Sequence, residues 1–109
     1  MTNIMWFSRH EMAEDQTKDL QRIFGKIKVS QVNKTIKSPA EIQLEIDNAD
    51  VLAIVAPIAL QQQFLKVAAG NKPVIIARSR REFTPDGKVN FIFDSWEQLI
   101  KIEVITKKL

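Results

Sequence analysis

Three short apolar runs without polar alternation restrict this chain of 109 residues to a small set of folds. They lie at residues 4–7, 51–56 and 74–77. A strand without polar alternation is buried on both faces, which is typical of the centre of a parallel sheet. The chain is therefore expected to form a mainly parallel sheet that is covered on both sides.

Helical patterns fill the intervals between these runs. An apolar stripe that ends at Gly25 predicts the first helix, and its members are Met12, Gln16, Leu20, Ile23 and Phe24. The sequence Ser38-Pro39-Ala40-Glu41 places a capping serine, a proline at the first helical position and a glutamate at the third. It predicts a second helix that runs to about Asn48. A third helix is expected between Pro57 and Gly70.

This alternation predicts an α/β fold with one domain over residues 1–109. Residues 1–79 are expected to form a βαβαβαβ core with strand order 2-1-3-4, in which the half-exposed strand at 27–32 lies at the sheet edge. Residues 80–109 are expected to add an antiparallel hairpin around Thr84-Pro85-Asp86-Gly87-Lys88. A short helical turn at Asp94-Ser95-Trp96-Glu97 and a final strand at residues 100–104 should follow.

In this architecture the first eighty residues resemble a flavodoxin-type or Rossmann-type domain. The resemblance implies a three-layer, doubly wound fold that holds ligands beyond the carboxyl ends of the strands. The phosphate loop of such domains is replaced here by Ser8-Arg9-His10-Glu11, and no G-x-G-x-x-G or G-x-x-x-x-G-K-[ST] sequence occurs. An anion would therefore be held by side chains and helix ends, and no particular cofactor is indicated.

Composition narrows the functional classes. The absence of cysteine rules out disulfides, and a single histidine rules out a zinc site of nitrogen and sulfur ligands within one chain. The sequence therefore predicts no such metal site, although counting leaves oxygen-ligated magnesium or calcium open. No secretory signal and no apolar run of membrane-spanning length are evident, so a cytoplasmic protein without a membrane partner is expected. The net charge is +3.

The candidate site lies where the predicted strands end. Ser8 and Glu11 fit a helix capping box, whereas Arg9 and His10 have no such structural explanation. A second basic cluster, at residues 78–81, follows the apolar run at residues 74–77 and supplies arginines suited to phosphate or carboxylate. The residues predicted to bind an anion at this rim are Ser8, Arg9, His10, Arg78, Arg80 and Arg81.

These patterns favour a small binding domain that recognises an anionic ligand, either nucleotide-like or a nucleic acid. Two alternatives stay open at this point. The first is a phosphodiester-directed enzyme, of the nuclease or phosphotransfer type, that uses His10 as its catalytic residue. The second is a protein-interaction or homodimerisation module in which the hairpin around Pro85 forms the contact surface. Whether the protein is an enzyme is not decided by its sequence.

Overall fold

Five strands and three helices make up the protein in a computed structural model, which describes residues 1–103 and 105–109. The strands are β1 (Thr2–Phe7), β2 (Ile27–Val32), β3 (Val51–Ile54), β4 (Val74–Phe83) and β5 (Val89–Gln98). The helices are α1 (Glu14–Phe24), α2 (Gln43–Asp47), which a 3-10 turn (Pro39–Ile42) precedes, and α3 (Ile58–Ala68).

The strands form one mixed sheet in the order β2-β1-β3-β4-β5. β1 pairs in parallel with both β2 and β3, so that Ile4 lies between Val29 and Val51. β3 pairs in parallel with β4, and β4 pairs with β5 in the antiparallel sense. The predicted order 2-1-3-4, the edge position of β2 and the antiparallel addition after the fourth strand are confirmed.

Alternate residues of β1 contribute to two separate apolar clusters. Met5 and Phe7 belong to a cluster that includes Phe64 of α3 and residues of α2. Ile4 and Trp6 belong to a second cluster, which includes the buried Leu20 of α1. Successive side chains of a strand point to opposite faces, so α1 covers one face of the sheet, and α2 and α3 cover the other. The apolar run at residues 4–7 is buried throughout, as predicted.

The capping box predicted at Ser8-Arg9-His10-Glu11 is wrong. Helix α1 begins only at Glu14, after Ala13 as the N-cap residue. The main-chain N–H of Ser8 still bonds to the Val32 carbonyl of β2, at 3.3 Å, so residue 8 continues the sheet. Its hydroxyl accepts the N–H of His10 at 3.1 Å, which is a local turn contact of the kind that serine favours outside helices.

The second predicted cap is confirmed. The Ser38 hydroxyl accepts the N–H of Ala40 at 3.2 Å, and the Glu41 carboxylate accepts the N–H of Ser38 at 3.0 Å. The same carboxylate accepts the N–H of Lys37 at 2.6 Å. Proline at the first helical position and these contacts together start the 3-10 turn that leads into α2.

The hairpin is confirmed but is longer than predicted, and the structure after it differs from the prediction. The turn predicted as helical, Asp94-Ser95-Trp96-Glu97, is extended and lies within β5. Asp94 could cap a helix, but β4 provides backbone hydrogen-bond partners for this segment, so that Trp96 lies opposite Ala77 in the antiparallel ladder. These tertiary contacts outweigh the local helical preference. Residues 100–103 of the predicted final strand have no regular secondary structure, and Val104 lies outside the described residues.

We expect helix α1 to be held to the sheet mainly by Leu20. The Leu20 side chain is fully buried, whereas Ile23, which the stripe also placed inward, is 44% exposed. Leu20→Ala should lower the free energy of unfolding by about 2–5 kcal/mol, because it leaves a cavity in the core. Ile23→Ala, the control on the same helix, should lower it by about 1 kcal/mol or less. Urea denaturation of both variants measures this difference, and equal losses would contradict it.

The contacts of Glu41 make part of the stability depend on pH. The two main-chain N–H groups hold the pKa of the Glu41 carboxyl below its ordinary value of 4.5. A lowered pKa in the folded state gives stability that is present above the ordinary value and lost as the pH falls through the folded value. Between neutral pH and the acid range, the melting temperature of the parent should therefore fall more steeply than that of Glu41→Gln. Parallel slopes would show that the carboxylate is not linked to folding.

Candidate functional site

The chain leaves β1 through a corner, residues 8–10, whose main chain is fixed by two side chains. The carbonyl oxygen of His10 accepts the indole N–H of Trp6 at 2.7 Å and the amide of Gln31 at 3.0 Å. The Gln31 amide also donates to the Ser8 carbonyl oxygen at 3.0 Å. These bonds tie the corner to the end of β2 and to the core beneath it. The corner therefore presents its side chains from a defined backbone position.

The ends of three strands meet at this corner. The N–H of Val55, just after β3, donates to the Phe7 carbonyl oxygen at 2.9 Å, and the N–H of Ser8 donates to Val32 on the other side. β1 then leads to α1 on one face of the sheet, while β3 leads to α3 on the opposite face. Diverging connections of this kind open a crevice at the carboxyl ends of neighbouring parallel strands.

A cavity of about 540 Å³ occupies this crevice. One part of its wall is apolar and is formed by Phe7, Ile36, Val55, Pro57 and Leu60. The polar part includes Ser8, His10, Thr35 and Gln63. Three cations, Arg9, Lys34 and Lys37, also line the cavity, and no Asp or Glu is among its lining residues. The cavity thus combines an apolar surface with an excess of positive charge.

Arg9 contacts a second segment of the cavity wall. Its Nη2 donates to the hydroxyl oxygen of Thr35 at 2.8 Å, which joins the corner after β1 to the loop after β2. This contact uses one of the five N–H donors of the guanidinium. Lys34 is 3.9 Å from the Glu45 carboxylate, a contact between partly exposed groups that neutralises little of its charge.

The beginning of α3 adds main-chain donors to the same place. Pro57 is its N-cap residue and supplies no side-chain hydrogen bond, and the first turn contains no acidic residue. The first helical bond is donated by the N–H of Gln61 to the Pro57 carbonyl oxygen, at 2.9 Å. The N–H groups of the preceding residues, including Ala59 and Leu60 of the cavity wall, have no acceptor within the helix. Such a helix end favours negative charge.

His10 lies in the cavity wall. Among the described residues, no carboxylate forms a hydrogen bond or ion pair with its ring. The neighbouring Glu11 is exposed and is not among the residues that line the cavity, and Asp94 lies in β5. The part of the chain that the structure describes therefore shows no carboxylate that would orient His10 as a general base.

The three arginines predicted for the site lie elsewhere. Arg78, Arg80 and Arg81 are exposed residues of β4, and none of them lines the cavity. The Arg78 Nε is 2.8 Å from the Glu97 carboxylate on the neighbouring strand, and the Arg81 guanidinium lies 5.8 Å from the ring centre of Phe91. Of the six predicted residues, the structure brings Ser8, Arg9 and His10 together and places the arginines along the hairpin.

No relative is found. Comparison of the chain with protein families, with curated proteins and with solved structures gives no match in any of the three. Across residues 1–103 and 105–109, no helix has the length and apolar character needed to cross a membrane. The same residues contain no group of three or more acidic or histidine side chains placed to hold a metal ion.

Sequence reasoning missed several residues of this site. Lys34 and Lys37 belong to the basic stretch before α2, so their charge was visible although their place beside Arg9 was not. The role of Gln31 was not predictable, because a glutamine on an edge strand is normally a solvent-exposed residue. Gln63 occurs in a helix whose apolar face was assigned to the core. Gln31 contacts the corner after β1, and Gln63 lines the cavity, only because the fold brings segments that are distant in sequence together.

We expect Gln31 to rigidify the corner. Gln31→Leu removes both amide hydrogen bonds and should lower the free energy of unfolding by about 1 kcal/mol. It should also speed hydrogen exchange at the His10 amide, which is measurable by NMR. Gln21→Leu, on the exposed side of α1, is the control and should leave that exchange unchanged. An unaltered exchange rate in Gln31→Leu would show that the corner is held without this side chain.

Proposed function

We propose that this protein is a binding domain for a small anionic, nucleotide-like ligand, held in the cavity at the ends of β1, β2 and β3. The observation that carries the proposal is the charge of the cavity, because Arg9, Lys34 and Lys37 are all among its lining residues and no carboxylate is. Like charges at one site repel each other, and a bound anion removes that repulsion.

The remaining features of the cavity support a ligand with both an apolar ring and a charged end. A volume of about 540 Å³ lies within the range of ordinary small-molecule sites. Phe7, Ile36 and Leu60 offer apolar surface for a base or a similar ring. A nucleotide combines such a ring with phosphate groups, which suit the basic part of the wall.

The anionic end would be held by side chains and by a helix terminus. The Arg9 guanidinium is planar and suits two-point contact with a phosphate. The N–H groups at the start of α3 lie at the same cavity. The Ser8 hydroxyl already accepts the His10 N–H, so its own proton is available for donation to the ligand. This arrangement does not need a glycine-rich phosphate loop.

We infer that the architecture is a three-layer, doubly wound one of the Rossmann-like or flavodoxin-like kind. Support comes from the two apolar clusters on opposite faces of the sheet and from the divergence of the chain after β1 and β3. In such folds this divergence is the usual ligand position.

Thermal melting in the presence of nucleoside mono-, di- and triphosphates and cyclic nucleotides tests this function. A ligand that binds only the folded protein, supplied at about 100 times its Kd, stabilises it by about 2.7 kcal/mol. The melting temperature should therefore rise by several degrees. Arg9→Gln should weaken the binding about tenfold or more, because it removes charge-assisted hydrogen bonds. Arg22→Gln, an exposed arginine of α1, is the control and should bind as the parent does.

The proposal fails if no phosphate compound in this set shifts the melting temperature, or if Arg9→Gln and Arg22→Gln respond alike. Chromatography of the same nucleotides after incubation also tests the reaction predicted for His10. If products form and His10→Asn stops their formation while the melting shift persists, the protein is an enzyme that acts on the bound ligand.

A further inference from the structure

The outer part of the β4–β5 hairpin is a two-stranded arm beyond the rest of the sheet. β4 pairs with β3 only through Val74 and Ile75, whereas its ladder with β5 continues to Phe83 opposite Val89. Residues 78–83 are all exposed.

One face of this arm is aromatic and continues from the core. The rings of Trp6 and Trp96 are 5.8 Å apart, and those of Trp96 and Phe93 are 5.7 Å apart. The indole N–H of Trp96 donates to the Gln16 carbonyl oxygen of α1 at 3.0 Å, which anchors the base of the series. Phe91 follows in alternation on the same face and is 70% exposed.

The outer residues of this face can be read from the register. They are the facing pairs Ser79 and Phe93, Arg81 and Phe91, and Phe83 and Val89. Phe83 is 72% exposed, and the Arg81 guanidinium lies over one face of the Phe91 ring, which is itself 70% exposed. We call these six residues the aromatic face of the arm. It combines accessible rings with one cation and no acidic residue.

The charge of the aromatic face distinguishes between occupants. In a symmetric pair of chains the same surface meets itself, so both copies of Arg81 would be buried with no carboxylate on either face. An anionic partner with flat apolar groups could pair its negative charge with Arg81 and stack its flat groups on the phenylalanine rings. The opposite face differs, since Arg78 there is paired with Glu97, and Arg80 shares that face with Glu82.

We propose that the aromatic face binds single-stranded nucleic acid, with bases stacked on Phe83 and Phe91 and a phosphate on Arg81. Base–aromatic stacking accepts any base, and a neighbouring arginine adds a phosphate contact. The proposal is independent of the cavity, because it uses a different surface and a polymeric ligand.

Fluorescence anisotropy with a labelled mixed-sequence DNA strand of about 12 nucleotides, a length typical of such sites, tests the proposal. Phe91→Ala and Phe83→Ala should each weaken binding by about fivefold or more, through loss of a stacked base. Phe91→Trp should retain binding. Arg81→Gln should reduce the slope of log K against log salt concentration by about 0.7, through loss of one phosphate contact.

Leu44→Ala is the matched control, because Leu44 is 70% exposed on α2, away from the arm. It should bind the strand as the parent does. Each variant is first melted to verify that it is folded. Absence of binding by the parent at low salt overturns the proposal, as does equal binding by Phe91→Ala and the parent. If sedimentation velocity instead shows a dimer that Phe91→Ala dissociates while no DNA binds, the occupant is a second copy of this chain.

Discussion

Burial of β1 and β3 on both faces is the constraint on which the rest of the structure depends. The side chains of residues 4–7 and 51–54 are almost completely inaccessible, so helices must cover both sides of the sheet. The chain leaves β1 toward α1 and leaves β3 toward α3, on opposite faces. The crevice between these exits is a direct consequence of that covering. The position of the candidate site therefore follows from the packing of the core, whereas its chemistry follows from the residues that happen to end the strands.

In the corner after β1, the main chain forms hydrogen bonds within the protein, whereas the Arg9 and His10 side chains line the cavity. Its carbonyl groups are used internally, by Trp6 and Gln31, and its one local N–H contact is to the Ser8 hydroxyl. A glycine-rich loop would instead turn its N–H groups toward the phosphate. In the proposed function, the anion is bound by the Arg9 guanidinium, Lys34 and Lys37, together with the start of α3. Such a site depends on side-chain charge, so its affinity should be sensitive to single substitutions and to salt.

Because β4 is long, the basic residues lie on two separate surfaces, the cavity and the hairpin. Had the strand ended at Ala77, the following arginines would have lain at the same rim as Arg9. Instead β4 continues to Phe83, its residues beyond Ile75 pair with β5, and Arg81 lies out along the arm. We propose a small anion with an apolar ring for the cavity and a single-stranded nucleic acid for the arm. Both surfaces combine positive charge with apolar area, in one case within a cavity and in the other along an exposed strand face.

The sequence by itself determined the α/β class, the strand order 2-1-3-4, the cap at Ser38 and the hairpin turn around Pro85. The class, the cap and the turn follow from patterns of burial and turn chemistry that act within a few residues. The strand order follows from which strands are buried on both faces, together with the general rules for crossover connections. Tertiary structure alone decided the late start of α1, because Ser8 first completes the ladder with β2. It also decided that Asp94-Ser95-Trp96-Glu97 is extended, since β4 supplies backbone partners that a local pattern cannot reveal. The grouping of Arg9 with Lys34 and Lys37, and its separation from Arg81, depended on the same long-range pairing.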